Sequence, residues 1–364
     1  MPSGPDHPAV CSIAPPWLLK RYVEEGDAEQ RAAASRTLAS LAILRERRSF
    51  MARLMAHADV DVKALGLVPG GIDSAISVYD AHGLPFTSPR LPGEFRRGPF
   101  DPPDEDAAVN QAFDGATATV AFYGAVLHRD GIDDAGMEVV SSVHVADQSG
   151  RPWENAAWDT RQMVYGDGGR QFKPGSLTTA HDVIAHELTH GVTQFTANLD
   201  YAGQPGALNE SMSDVFGSMV KQYALGQTVD EADWLIGAGL LRDPLATALR
   251  SVKDPGSAAP DDPQPASMAD FRQLPDNEDG DWGGVHINSG IPNRAFYLAA
   301  RALGGHSWDR AGRVWYDALT RRLRPDAQFS DAARATIEAA EELFPGGAVR
   351  DRVEEAWRTV EVLR

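Results

Sequence analysis

The order of signals along the 364 residues predicts an α+β protein in two lobes. Between residue 76 and about 165, β-branched and aromatic runs at 117–122 and 139–145 are separated by turn residues such as Asp130-Gly131, which reads as strands. After Thr179 apolar residues recur at helical spacing over 180–196, 207–224, 291–303, 308–323 and 330–343, with a last helix ending near Leu363. Strands first and helices afterwards indicate the α+β class. One helix, around 107–113, is expected to interrupt the strands.

A small helical unit precedes them. Pro15-Pro16 can start a helix at Trp17-Leu18-Leu19, and a second run carries Leu38, Leu41 and Leu44 on one face before a basic cluster at 45–48. The stretch LVPGG at 67–71 breaks the periodicity, and the chain stays rich in Pro and Gly as far as Pro103. The boundary is placed near 65–76, giving a helical segment at 1–75, a β-rich lobe at 76–200 and a helical lobe at 201–364. There is no internal repeat, and 254–265 reads as a proline-rich surface loop.

Composition narrows the function. With 43% hydrophobic and 24% charged residues the chain is a folded protein, and a formal net charge of −18 with no dense basic stretch argues against a nucleic-acid partner. One cysteine, Cys11, excludes an internal disulfide framework. The first 16 residues are polar and proline-rich, unlike a signal peptide, and no apolar run approaches the ~20 residues that span a bilayer. A soluble chain, a monomer with no membrane partner, is expected.

The chemistry is concentrated in His186-Glu187-Leu188-Thr189-His190. Residues four apart share a helix face, so His186 and His190 can offer two imidazoles to one metal ion, with Glu187 offset enough to reach a water on it. A catalytic zinc needs a third protein ligand and an open position. The best candidate is Glu210, with 19 residues between it and His190. Asp214 follows one turn later on the same face, and it and Asn209 are candidates to orient the two imidazoles. An HExxH match alone also arises by chance; the downstream Glu and Asp on one face favour zinc. His181, five before His186, turns off that face and reads as a surface or turn histidine. Asp182 is either a charge favoured by the helix dipole or a ligand for a second ion.

The succession HELTH, NESMSD and GGVHINSGIPNRAFY resembles the thermolysin family of neutral metallopeptidases, over about 76–364, and the short front end with PPWLL resembles the propeptide of the protealysin branch. The resemblance implies a β-rich lobe and an α-helical lobe with the zinc site between them, preceded by a helical propeptide acting as the enzyme's own inhibitor. Glu187 is then the general base, and His286, oriented by Asp281, and Tyr201 donate to the oxyanion. Without the family, His286 in a glycine-rich turn is a solvated loop histidine and Tyr201 an ordinary half-buried aromatic. The same resemblance makes 153–158 an edge strand on which Asn155 and the carbonyl of Ala156 pair with a peptide. It gives Arg250 a substrate carbonyl to grip, against the plain reading of a surface salt bridge. It also lines a pocket for a bulky apolar side chain just after the cleaved bond with Phe172, Val183, Ile236 and Leu249.

The chain departs from the family at the double calcium site. The matching positions are Asp182, Lys221, Asp233, Leu235 and Ala238, so three of five acidic groups are missing, and a salt bridge of Lys221 to Asp182 and Asp233 is expected instead. Calcium elsewhere stays open. The thiolate of Cys11 could fill the open zinc position of the precursor; an inert thiol is the simpler reading. Family members imply secretion, while the lack of a visible signal peptide leaves cytoplasmic residence or non-standard export open. The alternatives to a zinc endopeptidase are an inactive peptide-binding module, which has no need of Glu187, and an aminopeptidase, which needs a grip on the substrate amino terminus that is not found.

Overall fold

The computed structural model describes residues 12–56 and 75–364, with the backbone alone for 44–56. Cys11 and residues 57–74, which take in most of the boundary placed at 65–76, lie outside the described residues. The chain divides into two compact units, Met1–Val192 with Leu240–Asp243, and Thr193–Gly239 with Pro244–Arg364.

The first unit opens with two helices, α1 (Pro16–Glu25) and α2 (Ala28–Ala56). Pro16 at the first helical position of α1 gives up no needed N–H, and Leu18, Leu19 and Tyr22 form its buried face. A five-stranded sheet follows, built from β1 (Ile76–Asp80), β2 (Glu94–Arg97), β3 (Val139–Val145), β4 (Ala156–Trp158) and β5 (Met163–Gly166) in the order β2-β1-β3-β5-β4. The central strands β1, β3 and β5 run parallel, and antiparallel β2 and β4 form the two edges. The β5 strand is wholly buried, as a central strand covered on both faces should be.

The long helix α3 (Ala107–Leu127) corrects the sequence reading, which ended a helix at 113 and made 117–122 a strand. Its β-branched run is tolerated because Thr117 and Thr119 turn their hydroxyls back onto the carbonyls of Phe113 and Gly115. Asp106 caps its start through Ala108 N. Gly115 lets it close on the next helix, α4 (His181–Gln194): a Cβ there would lie 2.2 Å from Ile184 Cδ1.

The second unit is helical: α5 (Gly203–Leu225), α6 (Asp281–Asn288), α7 (Gly290–Leu303), α8 (Ala311–Asp317), α9 (Phe329–Leu343) and α10 (Ala348–Thr359), with a two-stranded sheet of β6 (Leu235–Ile236) and β7 (Arg250–Ser251). The helix expected over 308–323 is divided, since a π-helical turn, Ala318–Arg322, follows α8. Stacked Trp315 and Trp357, 6.0 Å apart, fill the core, and Trp357 satisfies its indole N–H on Thr336. No described helix is long and apolar enough to cross a membrane.

Candidate active site

The residues singled out by sequence fall into two sets, one in each unit. In the first, α4 buries His186, Glu187 and His190, at most 4% exposed. The two imidazoles meet edge to face with their Nε2 atoms 3.0 Å apart. Together with the Glu187 carboxylate they put ligand-type atoms within 4.8 Å of one another. Two buried ring nitrogens converging on one point suit a soft-to-borderline divalent cation, so the donor set fits zinc. Gly191, just after the motif, allows α4 to lie against the sheet: a Cβ there would be 2.6 Å from Ile132 and 3.1 Å from Trp158. That closeness lets Glu187 Oε2 accept the backbone N–H of Trp158 on β4 at 2.9 Å. Thr189 is tied to the Ala185 carbonyl and to the hydroxyl of Tyr123 on α3, which fixes the helix from its other side. His181 is half-buried at the start of α4, and Asp182 is buried there.

The edge strand β4 is engaged by the chain's own beginning. Ile13 N donates to the Ala156 carbonyl at 3.3 Å, Ala14 N donates to Asn155 Oδ1 at 3.0 Å, and Asn155 Nδ2 donates to Ser12 Oγ at 2.9 Å. Ser12, Ile13 and Ala14 are buried. Ionic contacts spread along the same segment: Arg21 with Asp243 at 2.8 Å, Arg36 with Asp147 at 2.6 Å and Glu29 with Arg170 at 2.9 Å. Sequence reasoning did not find Ser12, Ile13 and Ala14, because backbone pairing across some 140 positions leaves no residue-type signature. It also missed Glu154, buried beside Asn155, which accepts the backbone N–H groups of Arg170, Gln171 and Phe172. Burial raises the pKa of Glu154, against the lowering effect of those three donors.

In the second unit, α5 presents Glu210 and α6 presents His286. Tyr201 OH donates to Glu210 Oε1 and lies 3.2 Å from His286 Nε2, which in turn is 3.6 Å from Glu210 Oε2. Asp281 grips His286 twice, at Nδ1 (2.7 Å) and at the backbone N–H (2.8 Å). This needs a reversed backbone: Asp281, Trp282, Gly283 and Gly284 all have positive φ. Glycine is required at 283, where a Cβ would come 2.9 Å from the Gly203 backbone. Burial alone would depress the His286 pKa, but the charges of Glu210 and Asp281 outweigh it and push it up to about 9. A cation on Glu210 would cancel the first of those charges and leave Asp281 to hold the imidazolium. The solvated loop histidine of the bare sequence is thus a buried residue of a short helix. Gln264, not anticipated, donates to the His286 carbonyl at 2.8 Å.

Further along α5, Asp214 accepts Arg250 Nε at 2.9–3.0 Å and Asn293 Nδ2 at 2.9 Å, with Arg250 Nη2 2.9 Å from Asp214 Oδ1, so Arg250 sits in a fully buried ion pair. Asn209 donates to the Leu199 carbonyl at 3.3 Å.

Two family models match: the thermolysin metallopeptidase catalytic domain over 74–194 and the thermolysin metallopeptidase α-helical domain over 197–362. The chain belongs to the thermolysin family of metallopeptidases. An extracellular metalloprotease of Pectobacterium carotovorum subsp. carotovorum is 44% identical over 97% of this chain and 96% of its own. Protease PrtS of a Photorhabdus strain is 42% identical over 78% and 75%. The solved precursor of protealysin, a metalloproteinase from Serratia proteamaculans, is 41% identical and superposes with a TM-score of 0.81, covering 97% of this chain and 100% of that one. The protein is thus a thermolysin-like metalloendopeptidase of precursor type, with leading helices, a mixed-sheet catalytic domain and a helical domain.

The pocket positions of this thermolysin relative, Phe172 and Val183 in the first unit and Ile236 and Leu249 in the second, are all buried. At the calcium positions, Lys221 Nζ lies 2.8 Å from Asp233 and donates to the Leu235 carbonyl at 2.6 Å, leaving Ala238 with no ligand atom in its side chain.

Proposed function

We propose that this protein is a zinc-dependent endopeptidase that cleaves before bulky hydrophobic residues and is made with residues 1–75 as its own inhibitor. The observation that carries the reading is the pairing of Ser12, Ile13 and Ala14 with Asn155 and Ala156, the atoms an extended peptide substrate would use.

His186, His190 and Glu210 would hold the ion. Zinc, when bound, supplies Lewis acidity that makes water nucleophilic near neutral pH and polarises a carbonyl. Glu187, anchored on Trp158 N through one oxygen, takes the water proton and delivers it to the leaving amine. Tyr201 and His286 donate hydrogen bonds to the oxyanion, and Asp281 keeps His286 protonated and aimed. Arg250 acts as a rigid donor set by Asp214. Asn209 and Asp214 help to orient the metal ligands. Phe172, Val183, Ile236 and Leu249 form the apolar pocket, which discriminates by only ~1–3 kcal/mol per methylene, so the preference is broad. The Lys221–Asp233 pair replaces the family's double calcium site, and calorimetry detecting two tight calcium ions at these positions would refute that. The name of the Pectobacterium relative supports work outside the cell.

The test is casein cleavage by the matured chain. Loss of cleavage with a zinc chelator and in Glu187→Ala supports the reading, whereas removal of terminal residues alone identifies an aminopeptidase. Mass spectrometry after incubation with zinc should show self-cleavage near residues 65–76, at the boundary placed from the sequence. An unprocessed precursor with full activity would remove the inhibitor role.

A further inference from the structure

A second group of metal-type donors lies in the first unit, outside the α4 motif. It gathers at the carboxyl ends of the parallel strands, where open sheets collect ligands. Asp80 ends β1 and pairs in register with Val143 of β3; His144 follows on β3; Asp167 follows β5. A register shift between Ser142 and Val145 marks a bulge at His144, a device that re-aims a side chain. Asp106, the N-cap of α3, spends Oδ1 on Ala108 N and keeps Oδ2 for His144 Nε2 at 2.7 Å. Asp167 holds the opposite ring nitrogen, Nδ1, at 2.8 Å. Ligand atoms of Asp80, Asp106 and His144 all lie within 4.8 Å of one another, and His82 Nδ1 is 3.2 Å from Asp80 Oδ2. Asp80, His82, His144 and Asp167 line one surface pocket of about 310 Å³.

We propose that Asp80, Asp106 and His144, with His82 as a fourth donor, form a second metal site, for a divalent transition-metal ion such as Zn²⁺ or Mn²⁺. Two imidazoles and two carboxylates match such an ion in donor type. Asp167 is the outer carboxylate that fixes the His144 tautomer and frees Nε2 for the metal. The charge balance points the same way. Arg96 is the only guanidinium among the described residues shown on the carboxylates of Asp80 and Asp104. It offsets one of the four charges of Asp80, Asp104, Asp106 and Asp167. A proton on His144 offsets one more, and a divalent ion in its place offsets two. Glu94, on β2, is exposed and faces His82 Nε2. Proton and metal compete for one atom, His144 Nε2. The ion would tie β1, β3 and the start of α3 together, independently of the proposed peptidase chemistry.

The test uses the full chain carrying His186→Ala and His190→Ala, so that α4 supplies no imidazole ligand. Calorimetric titration with ZnCl₂ and with MnCl₂ should find about one equivalent. Adding Asp80→Asn or His144→Gln should weaken it at least tenfold, and zinc should raise the melting temperature of the parent but not of the Asp80→Asn form. Asp106→Asn retains the helix cap and serves if His144→Gln fails to fold. No saturable binding in the parent, or binding that survives both Asp80→Asn and the second substitution, overturns the proposal.

Discussion

His186 and His190 on α4 and His286 on α6 are almost equally buried, at 0%, 4% and 1% exposure, yet their surroundings give them opposite work. The first two aim ring nitrogens at each other across 3.0 Å, which makes a pair of electron donors. The third is faced by the carboxylates of Asp281 and Glu210, which hold it as a cation able only to donate. Burial cannot account for the difference, so the partner of each ring does.

The comparison breaks first at α4. Glu187→Ala should lower kcat by about 10²–10⁴-fold with bound zinc retained, while His186→Ala should lose zinc and activity together; elemental analysis beside casein assays separates the two. His286→Ala should cost about 10²–10³-fold in kcat and leave zinc content unchanged. Zinc loss in that variant would mean that His286 belongs with the donors after all. Asp281→Asn keeps the shape but weakens the cation, and a drop of about tenfold or more in kcat is expected.

A smaller effect is expected at the occupied edge strand. Ser12→Ala removes one hydrogen bond to Asn155, worth about 1 kcal/mol, so residual activity of the precursor should rise about fivefold. The smallest concerns His144. Its folded pKa, about 9, lies above the ordinary 6.5, so its stabilisation is complete below about pH 6.5 and fades as pH rises through 9. Urea midpoints of metal-free protein should fall over that window, and His144→Gln should flatten the fall.

Much of this was legible because the decisive residues sit in short runs whose spacing is set by one helix. His186, Glu187 and His190 need only helical periodicity to be placed, and α4 supplies it. The misreading of 117–122 had a physical source: threonine and valine favour strands by their side-chain stiffness, but burial and hydroxyl back-bonding on α3 override that preference. The grip of Asp281 on His286 depends on four consecutive positive-φ residues, of which only the two glycines leave a trace in sequence. Glu154 leaves none, since its partners are backbone amides that any residue provides.

The attachment of Ser12, Ile13 and Ala14 to the same chain as β4 has a consequence for dilution. While the connection is intact the clamp is intramolecular, and its occupancy is the same at any protein concentration. Once the connection is cut, the effective concentration, of millimolar order for a short tether, gives way to the bulk concentration. A cleaved precursor would then remain largely inhibited in a crowded compartment and switch on as it spreads into a larger volume, with no second signal required.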